Sequence, residues 1–277
     1  MPDALTLIRP VEFQSNFGPR REISHVIFDF DGTLSWLRHG WPRVMLDLFR
    51  EYYPVLPGET ETEIREFVLG EILALNGRQS IHQMEWFAGF AASRGANSPT
   101  PAELLEDYQR RLDRLISERT HSILSGEAAH DAFVIAGART LLEMLKQREL
   151  TLIILSGTIE HRVREEAVLL DLSRYFQPRI YGGTVDPAKF SKRMVIDRIL
   201  REEGIEGRHL LSFGDGPVEI QQTKAVGGLA IAVASDEDNN GSGVMDPHKR
   251  KQLLAAGADA VMADYQDAPA LIQQIFA

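Results

Sequence analysis

The 277-residue chain has no cysteine. That removes disulfide bridges, thiolate metal ligands and a cysteine nucleophile together, and it suits a reducing compartment. No apolar run approaches the ~18 residues of a membrane span, and residues 1–22 lack the apolar stretch of a secretion signal. The expectation is a cytoplasmic protein without a membrane partner, in which the Asn240-Gly241-Ser242 sequon is a chance match in a loop. Positive charge is also short: 30 Lys and Arg face 40 Asp and Glu, a net charge of −10, so a nucleic-acid backbone would be repelled. Repeats and low-complexity segments are missing as well.

What is present has globular proportions, 44% hydrophobic and 25% charged, enough for one large core or a core with a smaller domain. Short apolar runs at 25–30, 150–155, 178–181, 209–213, 229–233 and 260–262 end at polar or glycine-rich turns, as buried strands of a parallel sheet do. Beyond residue 136 they alternate with helical periodicity at 138–148, 160–172, 191–203 and 247–256. The pattern predicts an α/β fold, a doubly wound parallel sheet of Rossmann-like type with helices on both faces. In such sheets a ligand sits beyond the carboxyl ends of the strands.

The stretch 31–149 breaks this rhythm, being roughly ten times the dozen residues a crossover needs. Capping boxes at Thr60 with Glu63, Ser80 with Gln83, and Thr100 with Glu103, the last followed by Pro101, announce helices there, and 41–53 is amphipathic. The organisation expected is a core of 1–35 and 136–277 with a mostly helical insertion at 36–135.

Four polar segments follow apolar runs or open helices. Asp29-Phe30-Asp31-Gly32-Thr33 places two carboxylates on alternate positions of a strand end, where they share a face while the chain stays extended. Carboxylates without a counter-charge call for a hard divalent cation. Ser156-Gly157-Thr158 offers a hydroxyl and backbone N–H groups ahead of a helix, an anion site or simply a cap. Lys192 falls in the first turn of the 191–203 helix, where it opposes the dipole unless an anion lies nearby; Lys189 competes with it. Gly214-Asp215-Gly216-Pro217-Val218-Glu219 carries two acidic groups on a glycine-rich loop, oxygen ligands suited to Mg²⁺.

Together these segments resemble the four motifs of the haloacid dehalogenase-like superfamily, in the family's order: Asp29 to Thr33, Ser156, Lys192, and Asp215 with Glu219. The spacing of Lys192 from Asp215 is similar to that of family members and selects it over Lys189. A helical insertion between the first two motifs looks like the cap of phosphoglycolate phosphatase-like and beta-phosphoglucomutase-like members.

The resemblance implies a Mg²⁺-dependent phosphatase acting on a small phosphate ester, of the sugar or polyol phosphate class. Asp29 would be the nucleophile and Asp31 the general acid and base. Asp29, the carbonyl of Asp31, Asp215 and Glu219 would hold the cation. Ser156, Gly157, Thr33 and Lys192 would bind phosphoryl oxygens, and Arg38, His39 and Trp41 the leaving group, with Arg78, Gln83 and Trp86 as looser candidates. The second Asp of the first motif favours phosphate esters over dehalogenation. A phosphomutase keeps the same motifs and is the nearest rival. A phosphate-accepting signalling module would be shorter, uncapped and carry its Asp in mid-chain, and a noncatalytic protein on a degenerate hydrolase fold would not retain competent residues at every motif position.

Overall fold

A computed structural model describes residues 11–76, 78–184, 186 and 189–277; the first ten residues of the expected core segment lie outside the described residues. Seven strands form one sheet: β1 (Glu12–Phe13), β2 (His25–Phe28), β3 (Thr151–Ile159), β4 (Ile180–Gly183), β5 (Leu210–Gly214), β6 (Leu229–Val233) and β7 (Ala260–Met262). Their order is β1-β7-β6-β5-β2-β3-β4, parallel except for β1. β1 was not foreseen, because two residues at an edge carry no periodicity.

The central strands read as continuous apolar runs because both faces are covered. Val26 and Phe28 pack toward α5 (Ala138–Gln147), α6 (Glu160–Leu169), α7 (Ser173–Phe176) and α11 (Ala268–Ile275). Ile27 on the same strand packs toward α8 (Lys192–Glu202). Ala230 and Ala232 of β6 meet α9 (Pro217–Ala225) and α10 (Pro247–Ala255) on that second face. Register places Phe28 beside Ile154 and Phe213, so the chain leaves β2, β3 and β5 along one edge.

β3 runs four residues beyond the expected end, with a register shift between Leu155 and Ile159. The cause lies in its neighbour. A Cβ on Gly183 of β4 would stand 2.7 Å from the Gly157 carbonyl oxygen, and one on Gly182 2.6 Å from that of Thr158. Two glycines in β4 thus let the extension lie close against it. Ser156 to Thr158 are therefore strand residues, and the helix begins only at Glu160.

Between β2 and β3 stand α1 (Trp41–Tyr52), α2 (Glu61–Ala74), α3 (Ile81–Ser93) and α4 (Pro101–Leu124). Thr60 and Thr100 make the expected two-way capping boxes. Ser80 does not. Its own backbone is helical (φ −58°, ψ −18°), so its hydroxyl cannot turn back to the first free amides, and Gln83 is instead buried with its amide near the Leu75 carbonyl. Phe49 stacks on Phe87 at 4.2 Å between α1 and α3. The two segments that lead into and out of these helices run together, Trp36 N donating to Phe133 O at 2.8 Å and Ile135 N to Leu34 O at 2.9 Å.

Candidate active site

Asp29 leaves β2 with its amide still bonded to the Phe213 carbonyl, which fixes the carboxylate at the strand edge. Lys192 opens α8, where Ser191 caps the Met194 amide and aims the lysine inward. Its ammonium donates to Asp29 Oδ1 at 2.8 Å and to Glu219 on α9, and all three side chains are buried. Burial pushes the proton affinity of Asp29 well above the carboxylate range; Lys192 opposes this while the nearby Glu219 and Asp215 add to it. For Lys192 burial disfavours the charge, but Asp29 and Glu219 outweigh it and hold the ammonium protonated. Lys189 is 76% exposed and pairs with Asp186.

Asp31 meets a different set of partners. Thr158 Oγ1 donates to its Oδ2 at 2.7 Å, and Arg38 Nε stands 3.0 Å from its Oδ1 as an ion pair not aligned for a hydrogen bond. Arg38 is itself buried and bonded at its far end to Glu166 on α6. Each carboxylate of the first motif thus has its own cation; Lys192 near Asp29 was expected from the sequence, Arg38 beside Asp31 was not. Burial pushes Glu166 up to about 7 from 4.5, against the pull of Arg38.

A folded-state carboxyl raised in this way loses stability as pH rises from the unfolded value through the folded one. Relative to Glu166→Gln, the native chain is therefore expected to lose roughly 3 kcal/mol between about pH 4.5 and 7, by chemical denaturation at each pH. Parallel pH profiles for the two chains would contradict this.

Asp215, just past β5, lies under the turn after Asp31. Gly32 there has φ +72°, and a Cβ on it would run into Asp215 Oδ2, so the close approach needs glycine. Lys249 of α10 reaches the same oxygen at 3.1 Å and bonds Glu237 at 2.5 Å. Asn76, from the helical insertion, donates to the Asp215 carbonyl at 3.1 Å. Burial, opposed by Lys249, pushes Asp215 up to about 6.

Three buried carboxylates, Asp29, Glu219 and Asp215, and the partly exposed Glu237 thus share two buried ammonium groups. Burial raises the proton affinities of Asp29 and Asp215 in spite of the two ammonium groups, and this all-oxygen donor set fits a hard divalent cation, whose charge would favour both as carboxylates. Among the described residues no three acidic or histidine side chains gather into a ready cage.

Above this cluster opens a cavity of about 460 Å³. Asp29, Asp31, Ser156, Gly157 and Lys192 line its floor, and Trp41, Arg78, Gln83 and Tyr108 come from the insertion, with Arg38 at the joint. Several expected contacts fall elsewhere. Thr33 is fully buried and does not line the cavity. His39 stacks on Trp36 at 3.6 Å and is bonded by Arg119, and Trp86 packs on Phe90 at 5.6 Å. Ser156 Oγ accepts from Thr158 N at 3.0 Å within the extended strand, so it heads no helix. Sequence reasoning missed Thr158, Asn76, Tyr108 and Lys249. For Lys249 a signal existed: it lies four residues before Leu253, and both face the core.

A model of the haloacid dehalogenase-like hydrolases matches residues 23–227. Among solved structures, a haloacid dehalogenase-like protein of unknown function from Agrobacterium tumefaciens superposes with TM-score 0.62 at 19% identity, covering 91% of this chain and 98% of that one. A predicted phosphoglycolate phosphatase from Haemophilus somnus gives 0.60 at 14% identity, covering 91% and 99%. A candidate beta-phosphoglucomutase from Thermotoga maritima gives 0.56 at 18% identity, with the same coverage. No curated protein matches the chain. At these identities the structural likeness speaks for the fold. Among the described residues no helix is long and apolar enough to cross a membrane.

Proposed function

The chain belongs to the haloacid dehalogenase-like hydrolases, and on that premise we propose that it hydrolyses a small phosphate monoester, of the sugar or polyol phosphate class, through an aspartyl-phosphate on Asp29. The observation that carries this reading is the buried contact of Lys192 with Asp29 at the floor of a cavity that helices of the insertion roof over.

In-line transfer needs an oxygen nucleophile, donors for the phosphoryl oxygens and a proton for the leaving alkoxide. An Asp29 oxygen attacks phosphorus and the ester P–O bond breaks. Asp31 gives its proton to the departing oxygen, then takes one from the water that cleaves the aspartyl-phosphate, restoring Asp29 and releasing phosphate. Thr158 suits both stages, because a hydroxyl can donate to a carboxylate or accept from a carboxylic acid. Arg38 keeps Asp31 oriented. Lys192, with Ser156 and Gly157 beside it, places positive charge and hydrogen-bond donors where the transferring group sits.

Asp29, Asp215 and the carbonyl of Asp31 would hold Mg²⁺, with Glu219 in support; when bound, the cation supplies charge neutralisation to the phosphoryl oxygens. Residues 36–135 would act as the cap that screens the intermediate from bulk water.

Phosphate release measured across sugar phosphates, phosphoglycolate and nucleotides, with and without Mg²⁺, tests this. Mg²⁺-dependent release from a sugar or polyol phosphate is expected. Conversion of a hexose 1-phosphate to its 6-phosphate without release would make the protein a mutase, and inactivity toward all of them would remove the assignment.

A further inference from the structure

Outside the catalytic cluster, the loop following β6 touches both chain segments that connect the helical insertion to the sheet. On the outgoing segment, Trp36 Nε1 donates to the Asp236 carbonyl at 3.3 Å, Gly40 N donates to Glu237 Oε2 at 3.1 Å, and Arg43 pairs with Asp238 at 2.6 Å. On the returning segment, Asn240 accepts from Ala136 N at 3.0 Å and donates to the Val134 carbonyl at 2.7 Å. One loop thus grips both connections within a few residues of where α1 begins and where the chain re-enters the core.

The same loop is tied inward through a single buried ammonium. Lys249, 2% exposed, bonds Glu237 Oε1, Ser235 Oγ at 3.0 Å and Asp215 Oδ2 at 3.1 Å, and Ser235 in turn donates to the Gly32 carbonyl at 2.9 Å. Glu237 is therefore bonded through one oxygen to Lys249 and through the other to the backbone at the entrance of the insertion.

We propose that Lys249 is a positioning residue that, through Glu237, couples occupancy of the Asp215 carboxylate by a divalent cation to the fixing of the outgoing connection of the helical insertion. The coupling rests on the reading of Asp215 as a cation ligand given above. Lys249 divides its attraction between two carboxylates. An Asp215 carboxylate whose charge is shared with a divalent cation holds the ammonium less strongly. Lys249 then leans on Glu237, and the carboxylate so localised holds the Gly40 amide more firmly. By linkage, whatever fixes that connection raises cation affinity by the same factor.

The test is amide hydrogen exchange on the full chain, with and without saturating Mg²⁺, alongside Mg²⁺ affinity by titration calorimetry. In the native protein Mg²⁺ is expected to slow exchange over 36–43 by about fivefold or more. Glu237→Gln, which leaves the Lys249 charge in place and wholly on Asp215, should bind Mg²⁺ about fivefold more weakly and, at saturating Mg²⁺, lose this added protection. Lys249→Met should lose it too and, one positive charge poorer, bind Mg²⁺ about threefold more tightly. Should Lys249→Met not fold, Glu237→Gln decides alone.

A merely structural contact would loosen the connection equally with and without Mg²⁺, and that result overturns the coupling, as does full protection in Glu237→Gln. Mg²⁺ binding without any response in the native chain overturns the coupling alone. Failure of the native chain to bind Mg²⁺ overturns the cation reading and the coupling with it.

Discussion

Asp29→Asn is expected to lower turnover by at least about 10⁴-fold while the protein stays folded. The amide has the shape of the carboxylate but no anionic oxygen to attack phosphorus, so no acyl-phosphate forms. Lys192 keeps Glu219 as its partner, and the cavity keeps its lining. The fold should tolerate the change because burial already drives Asp29 toward its neutral form, which asparagine imitates. The melting temperature is therefore expected to stay level or rise slightly.

Two measurements check this: steady-state phosphate release, and mass spectrometry of acid-quenched protein for a phosphate adduct on the peptide containing Asp29. Native activity in the variant, or an adduct on another peptide, would place the nucleophile elsewhere.

How much of this was legible in the sequence varies with the physical origin of each feature. The parallel sheet was plain because its strands are buried on both faces and read as unbroken apolar runs, with β6 and β7 matching to the residue. The convergence of Asp29 and Lys192 followed from motif order and from a cation sitting where a helix dipole disfavours it. The far end of β3 was not legible. Its extension depends on two glycines in β4, a partner whose alignment only the folded sheet supplies.

The cation partners of the acidic groups were missed for a related reason. Arg38 meets Glu166 across 128 positions, and Lys249 stands in the run His248-Lys249-Arg250-Lys251, which looks like a solvated face. Composition along the chain reports the average environment of a segment. One buried lysine on a charged helix is an exception that only the i, i+4 relation to Leu253 betrays.

The largest effect on stability is expected at Lys192. Lys192→Met removes the one ammonium that Asp29 and Glu219 share, and both carboxylates are almost wholly enclosed, at 7% and 5% side-chain exposure. Breaking a buried ion pair on one side costs about 3–5 kcal/mol, most of it for the charge left behind. Asp29 escapes part of that cost by taking up a proton: burial already raises its proton affinity, and without Lys192 to oppose this the folded value climbs further above the unfolded one, so stability falls as pH rises out of the carboxyl range. The deficit against the native protein should consequently be full at pH 8 and smaller at pH 5. Turnover should fall by roughly 10²–10³-fold, since a charge aimed at the transferring phosphoryl group is lost. Lys189→Met supplies the contrast: that lysine is 76% exposed and its pair with Asp186 spans 3.4 Å, so less than about 1 kcal/mol and little activity are at stake. Chemical denaturation of both variants at the two pH values, with phosphate release under Mg²⁺, separates the outcomes. If the Lys189 variant loses activity while the Lys192 variant keeps it, the phosphoryl-binding cation has been assigned to the wrong end of the turn that opens α8. A stability deficit at Lys192 that does not change with pH would mean that Asp29 remains ionised without it, and the buried cluster would then need another source of positive charge.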